Sequence, residues 1–178
     1  MFKNKLFTFL LTLSLSIFSQ AEVISVEKFH NQAFPESELR WQTLWLNQDL
    51  RIKAEKLLGH SFKELRVRYF GQNKRTAWIL DEIGKELPIT IGVVIENNQI
   101  IDVVILEFRE SRGGEVAYPF FTKQFNNLNL FINEEDYKLS HDIDGISGAT
   151  LSVRAVKRVA MLALLFHQQT NFSQSSSQ

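Results

Sequence analysis

The chain has 178 residues, with 20 Lys and Arg balancing 20 Asp and Glu, 15 Phe and no cysteine. Balanced charge offers no basic field for nucleic acid, and the absence of thiols excludes disulfides, iron–sulfur clusters and thiolate zinc sites. The length suits one domain with a substantial core, for which the phenylalanines supply bulky material.

Lys3 and Lys5 open the chain, an apolar run follows from Leu6 to Phe18, and Ser19-Gln20-Ala21 places small residues where a signal peptidase reads. Residues 1–21 are therefore predicted to be a cleaved signal peptide, because an apolar run of 13 residues is too short to cross a bilayer as a helix. The mature chain then begins near Glu22 in the periplasm, and loss of the two lysines leaves 18 basic against 20 acidic residues.

Residues 22–59 are expected to form an N-terminal helical segment. Within it, residues 36–58 read as two helical pieces broken at Asn47, with Asn47 as an N-cap and Gly59 as the stop. Strands follow over residues 65–70, 75–80, 88–95 and 99–108, with turns at Gly71-Gln72-Asn73 and Asn97-Asn98. Val93, Val94 and the run Ile100 to Leu106 are apolar on both sides of the pleat, which predicts central strands covered on both faces. Ser111-Arg112-Gly113-Gly114-Glu115 reads as a loop, and Tyr118, Phe120, Phe121 and Phe125 form an aromatic cluster. The last helix spans 151–168, and residues 169–178, rich in Gln and Ser, read as a disordered tail. The fold class is α+β, an antiparallel-rich twisted sheet packed with helices, with the main domain over 60–168.

Asp144-Gly145-Ile146-Ser147-Gly148-Ala149-Thr150 enters the last helix. A helix N-terminus carries unpaired N–H groups and the positive end of the helix dipole, so it favours an anion. Thr150 or Ser152 as a hydroxyl cap explains part of the run. It does not explain two small residues at Gly148 and Ala149, nor Arg154 one turn beyond Thr150, where a guanidinium would meet a phosphate at Thr150. Gly145-Ile146-Ser147-Gly148-Ala149 nearly matches a nucleophile elbow, but only His167 follows it, within an apolar helix, and no acid stands in the required order. His141-Asp142-Ile143-Asp144 lacks a second ligand cluster at metal spacing, so no metal site is expected. Lys63, Arg66, Arg68, Lys74 and Arg75 make the first hairpin basic, either as a solvated face or as a docking surface for an acidic partner.

The run Asp144-x-x-Ser147-Gly148-Ala149-Thr150-x-Ser152 resembles the attachment motif of the FMN-binding domain family, which includes the C subunit of sodium-translocating NADH:quinone reductase and the G subunit of the Rnf complex. The resemblance extends over about residues 60–166. It implies FMN joined covalently to Thr150 by a phosphoester, attached outside the cytoplasm by a dedicated flavin transferase, with Asp144, Ser147, Gly148 and Ala149 completing the recognition sequence. It also implies that Ser111, Gly113, Gly114 and Glu115 line the flavin, with Phe120 and Phe121 placed to stack on it and Gln124 to bond its edge. The loop differs from the Gly-Tyr-Gly-Gly form of the respiratory subunits, which points to a smaller stand-alone relative. No residue reads as a substrate-specific acid or base. An extracytoplasmic electron carrier serving a membrane-bound redox protein is therefore expected, ahead of an enzyme with its own small substrate. The competing readings are non-covalent FMN binding and a non-redox interaction module.

Overall fold

A computed structural model describes residues 23–133 and 136–173. The predicted signal peptide lies outside the described residues. Five antiparallel strands form one sheet in sequential order: β1 (Gln42–Trp45), β2 (Arg66–Gln72), β3 (Arg75–Ile83), β4 (Pro88–Glu96) and β5 (Gln99–Phe108). Sequential antiparallel pairing needs only short turns, and the sequence supplies them. Asn73 adopts φ +55°, and Asn97 and Asn98 adopt +52° and +63°, the left-handed values that asparagine tolerates. The α+β class is as the sequence predicts.

The long helix α4 (Thr150–His167) covers one face of the sheet. Val156, Val159, Ala160, Ala163 and Phe166 are fully buried there. On its other side pack α2 (Gln48–Leu58) and the small hairpin of β6 (Leu130–Ile132) and β7 (Tyr137–Leu139). This sandwiching explains a helix that is apolar nearly all round. Asn47 caps α2 through its side chain, which accepts from the Leu50 N–H at 2.8 Å, and Gly59 ends it at φ +74°. The opposite face carries α1 (Val26–Ala33), whose Phe29, with the C-cap Phe34, joins Phe70, Val94 and Leu106 in a second core. Gly92 in β4 permits this: a Cβ there would lie 2.6 Å from the Phe29 ring and from Leu106.

Three expectations need correction. The first piece of the predicted helical pair is β1, whose alternating Gln42-Thr43-Leu44-Trp45 pairs with Tyr69 to Arg66 of β2. Sheet pairing with a distant segment outweighs local helical spacing there. Residues 22–59 thus contribute a strand to the main sheet as well as two helices. Second, β5 is the last strand of the sheet, not a central one. Its edge is covered instead, with the Ile24 N–H bonding Leu106 O, and with Ile100 exchanging bonds with Asn127 and Leu128. Third, the tail stays docked through Ser173: Phe172 packs against Tyr69, and the Asn98 side chain donates to Ser173 O.

The basic hairpin divides by role. Arg75 is structural, bonding Glu96 and the Ala33 carbonyl. Arg66 and Arg68 lie over the Trp45 and Trp41 rings at 5.7 and 4.8 Å. Glu82, nearly buried on β3, is satisfied by His60 at 3.0 Å and Arg158 of α4 at 3.3 Å. This ion cluster pins α4 to the sheet two turns from Thr150.

Candidate functional site

The loop after β5, the β3–β4 turn and the start of α4 meet at one end of the sheet. Glu110 organises this end. One of its carboxylate oxygens accepts the backbone N–H groups of Lys85, Glu86 and Leu87 at 2.6, 2.6 and 2.9 Å. Those bonds, from Leu87 and Glu86 foremost, hold its pKa below the ordinary carboxylate value. The turn at residues 84–87 is thereby fixed to the end of β5.

Gly113 makes the second junction. It sits at φ +87°, and a Cβ there would meet Ser152 Oγ at 2.6 Å and the Ala149 methyl at 3.4 Å. The loop backbone therefore lies directly against the first turn of α4, which is why Ala149 and Gly113 must both be small. Gly113→Ala is expected to cost about 1–2 kcal/mol from backbone strain and overlap together. Ser152→Ala in the same chain should recover only the steric part. Denaturant midpoints of the three variants measure this, and a Gly113→Ala protein as stable as the wild type would refute it.

Between these junctions lies a cleft of about 640 Å³. One wall is Lys85, Glu86 and Glu110, and the other is Gly148 through Ser152, with Ser111 and Arg112 between. A second cleft of about 480 Å³ continues from Ser111, Arg112 and Gly148 toward Gly113, Gly114, Glu115, Tyr118 and Ser147. Both fall in the range of about 300–1,000 Å³ that small-molecule sites occupy.

The helix start is open. The N-cap of α4 is Ala149, with no side-chain cap, and Thr150 is the first helical residue. Val153 is the first residue of the helix to bond back, its N–H reaching Ala149 O. The hydroxyl-cap explanation of the run therefore fails. Thr150 is exposed on the cleft wall, and among the described residues nothing bonds its hydroxyl. Gly148 turns the chain into the helix at φ +82°, and nothing lies within 4 Å of where its Cβ would be. Bare backbone, unpaired helix N–H groups and a free hydroxyl on one wall fit a phosphate-bearing cofactor.

The structure gathers most of the residues singled out from sequence. Thr150, Gly148, Ala149 and Ser111 line the first cleft, while Ser147, Gly113, Gly114 and Glu115 line the second. Asp144 lines neither cleft. Its backbone N–H donates to Gln124 Oε1 at 2.8 Å, so Gln124 braces the motif loop and does not project to a ring edge. Arg154 is exposed and lines neither cleft.

Phe121 requires correction as a flavin contact. It is wholly buried and stacks edge-on against Phe125, 5.5 Å between centroids. The short helix α3 (Pro119–Thr122) turns it inward and leaves Tyr118 and Phe120 exposed. Tyr118 lines the second cleft and is the aromatic that sequence reasoning missed. Lys85, Glu86 and Glu110 were missed as well, and Arg112, inside the loop that the sequence singles out, had no role of its own. The signal for Glu110 is a carboxylate at a strand end, but its partners lie 23 to 25 residues earlier. Among the described residues, no group of His and carboxylate side chains is placed to hold a metal ion.

A cleft lined by glycine backbone and an open helix N-terminus suits a phosphate-bearing cofactor. Residues 84–164 match the family model of the FMN-binding domain, a stretch running from the β3–β4 turn through the glycine loop to α4. That match supports a flavin-binding protein whose cofactor is FMN. A comparison with curated proteins gives no match.

Proposed function

We propose that the protein is an exported flavoprotein carrying FMN covalently on Thr150, and that it transfers electrons outside the cytoplasm. The observation that supports this best is Thr150 itself. Among the described residues nothing bonds its hydroxyl, which stands on the cleft wall at the first position of a helix whose N–H groups are open. A phosphoester there joins Thr150 Oγ1 to phosphorus. The Thr150 oxygen displaces the leaving phosphate of a flavin phosphoanhydride donor at the flavin-side phosphorus, the anhydride P–O bond breaks and the hydroxyl proton is lost, so the protein gains FMN less water.

Residues Gly148 to Ser152 would receive the phosphate end, and the loop from Ser111 to Glu115, with Tyr118, would border the flavin. When bound, the flavin supplies one- or two-electron redox chemistry; the chain's part is to tether, orient and shield. A tether has a clear use in the periplasm, where a dissociated cofactor diffuses away. The apolar run at residues 6–18 supports export, and no side chain in either cleft reads as an acid–base pair for a small substrate. A flavin transferase would mature the protein, and a membrane-bound redox protein would exchange electrons with it.

Export of the protein beside an active flavin transferase tests the reading. Intact mass should rise by FMN less water, and the band should fluoresce in a denaturing gel. A protein that binds FMN reversibly but never gains that mass is a non-covalent flavin domain instead. A protein that binds no flavin at all returns the motif to a purely structural role.

A further inference from the structure

The two clefts share only Ser111, Arg112 and Gly148, and Arg112 is the one charged side chain that lines both. The other charges of the first cleft are already engaged. Lys85 Nζ pairs with Glu86 at 3.2 Å, and a Glu110 oxygen holds three backbone N–H groups. Among the described residues, Arg112 has no hydrogen bond or ion pair.

Its backbone is also held from both sides. Two residues earlier, Glu110 is fastened to the β3–β4 turn. One residue later, Gly113 lies against Ser152 and Ala149. A long side chain between two such anchors has its base fixed where the clefts meet. Arg154, the guanidinium that helical spacing favours, points from an exposed position outside both clefts.

We propose that Arg112 is the phosphate-recognising residue of this site: its guanidinium pairs with the FMN phosphate and makes the apoprotein select FMN over unphosphorylated riboflavin. The proposal rests on FMN occupying this cleft, as argued above, and not on the covalent bond. A planar fork of N–H donors matches two phosphate oxygens at once, which a lysine at the same place matches only as a point charge. The contact sets a preference for the phosphorylated flavin whether or not a bond to Thr150 forms.

Protein produced without the transferase, with Thr150 unmodified, provides the test, using flavin-fluorescence quenching with FMN and with riboflavin as separate probes. The wild type should bind FMN more tightly. Arg112→Gln should lose roughly 10- to 100-fold in FMN affinity, the scale of a charge-assisted bidentate contact, with riboflavin affinity unchanged. Arg112→Lys should restore part of the preference, and Arg154→Gln should behave as wild type. Equal loss of both flavins in Arg112→Gln overturns the proposal. So does a wild type without preference or without flavin binding, or an Arg154→Gln protein that reproduces the effect. If the preference depends on Arg112 but no covalent adduct ever forms with the transferase, the phosphoester reading fails and this one stands. If the adduct forms while Arg112→Gln keeps the full preference, the reverse holds.

Discussion

Thr150→Ala is expected to abolish covalent flavin completely while leaving a folded protein. Loss is total because the phosphoester needs an oxygen at that position, and alanine supplies none. The fold survives because Thr150 is exposed, its hydroxyl bonds nothing among the described residues, and Ala149 already serves as the N-cap. A substitution of this kind shifts stability by about 0.5 kcal/mol or less, and alanine is at least as good a helix former. Thr150→Ser keeps the hydroxyl and should load, more slowly if the methyl group helps to orient Oγ1. The measurement is intact mass after export beside the transferase, paired with a denaturant midpoint. A Thr150→Ala protein that still gains FMN less water would move the attachment elsewhere, with Ser111, Ser147 and Ser152 the other hydroxyls of the two clefts that could carry it. Ser152→Ala is a useful companion: Ser152 is buried against Gly113, and an adduct that survives its removal excludes it as the acceptor.

What the sequence discloses about this protein follows the range of the interactions concerned. Strands β4 and β5 are legible because their turn is local, two asparagines that accept positive φ between apolar runs. Helix α2 is legible because Asn47 and Gly59 mark its ends. Strand β1 is not, since four residues carry too little periodicity, and only pairing with Arg66 to Tyr69 makes them a strand. The site divides in the same way. The small residues before α4 are visible as a motif, and the resemblance gives them meaning, yet spacing alone favours a mundane cap just as well. Three-dimensional facts remove that option, because the cap position falls on Ala149. The facing of aromatics on a single helical turn cannot be read from composition, so Phe121 and Tyr118 exchange roles between the two views. Arg112 escapes for a related reason: its worth depends on Glu110 reaching a turn more than twenty residues back, and on Lys85 being spent on Glu86.

His167 should make the protein lose stability in mild acid, by about 2 kcal/mol at pH 5 and roughly 3 kcal/mol near pH 4 relative to neutral pH. The ring is wholly buried at the end of α4. Its Nδ1 meets Thr76 Oγ1 at 2.7 Å, and that same oxygen accepts from Trp78 Nε1 at 2.8 Å. Nε2 is buried with no partner among the described residues. An imidazolium there would carry an N–H and a charge with nothing to receive them, so burial drives the pKa from 6.5 down to about 4. The unfolded chain binds this proton more readily than the folded one below pH 6.5. The contribution of neutral His167 is therefore complete above that value and is lost as pH falls toward 4. His60 acts with the opposite sign, since the Glu82 carboxylate raises its pKa; its contribution is present below 6.5 and fades at higher pH. Glu110, whose pKa is lowered from 4.5 by the turn N–H groups, weakens the fold only in stronger acid. Burial raises the Asp102 carboxyl, which favours the folded state as pH falls. Comparison with His167→Gln cancels these background terms, because the variant retains every one of them. Denaturant midpoints between pH 7.5 and 4.5 should fall steeply for the wild type and much less for the variant. Parallel pH profiles for the two proteins would show that this buried ring does not govern acid sensitivity.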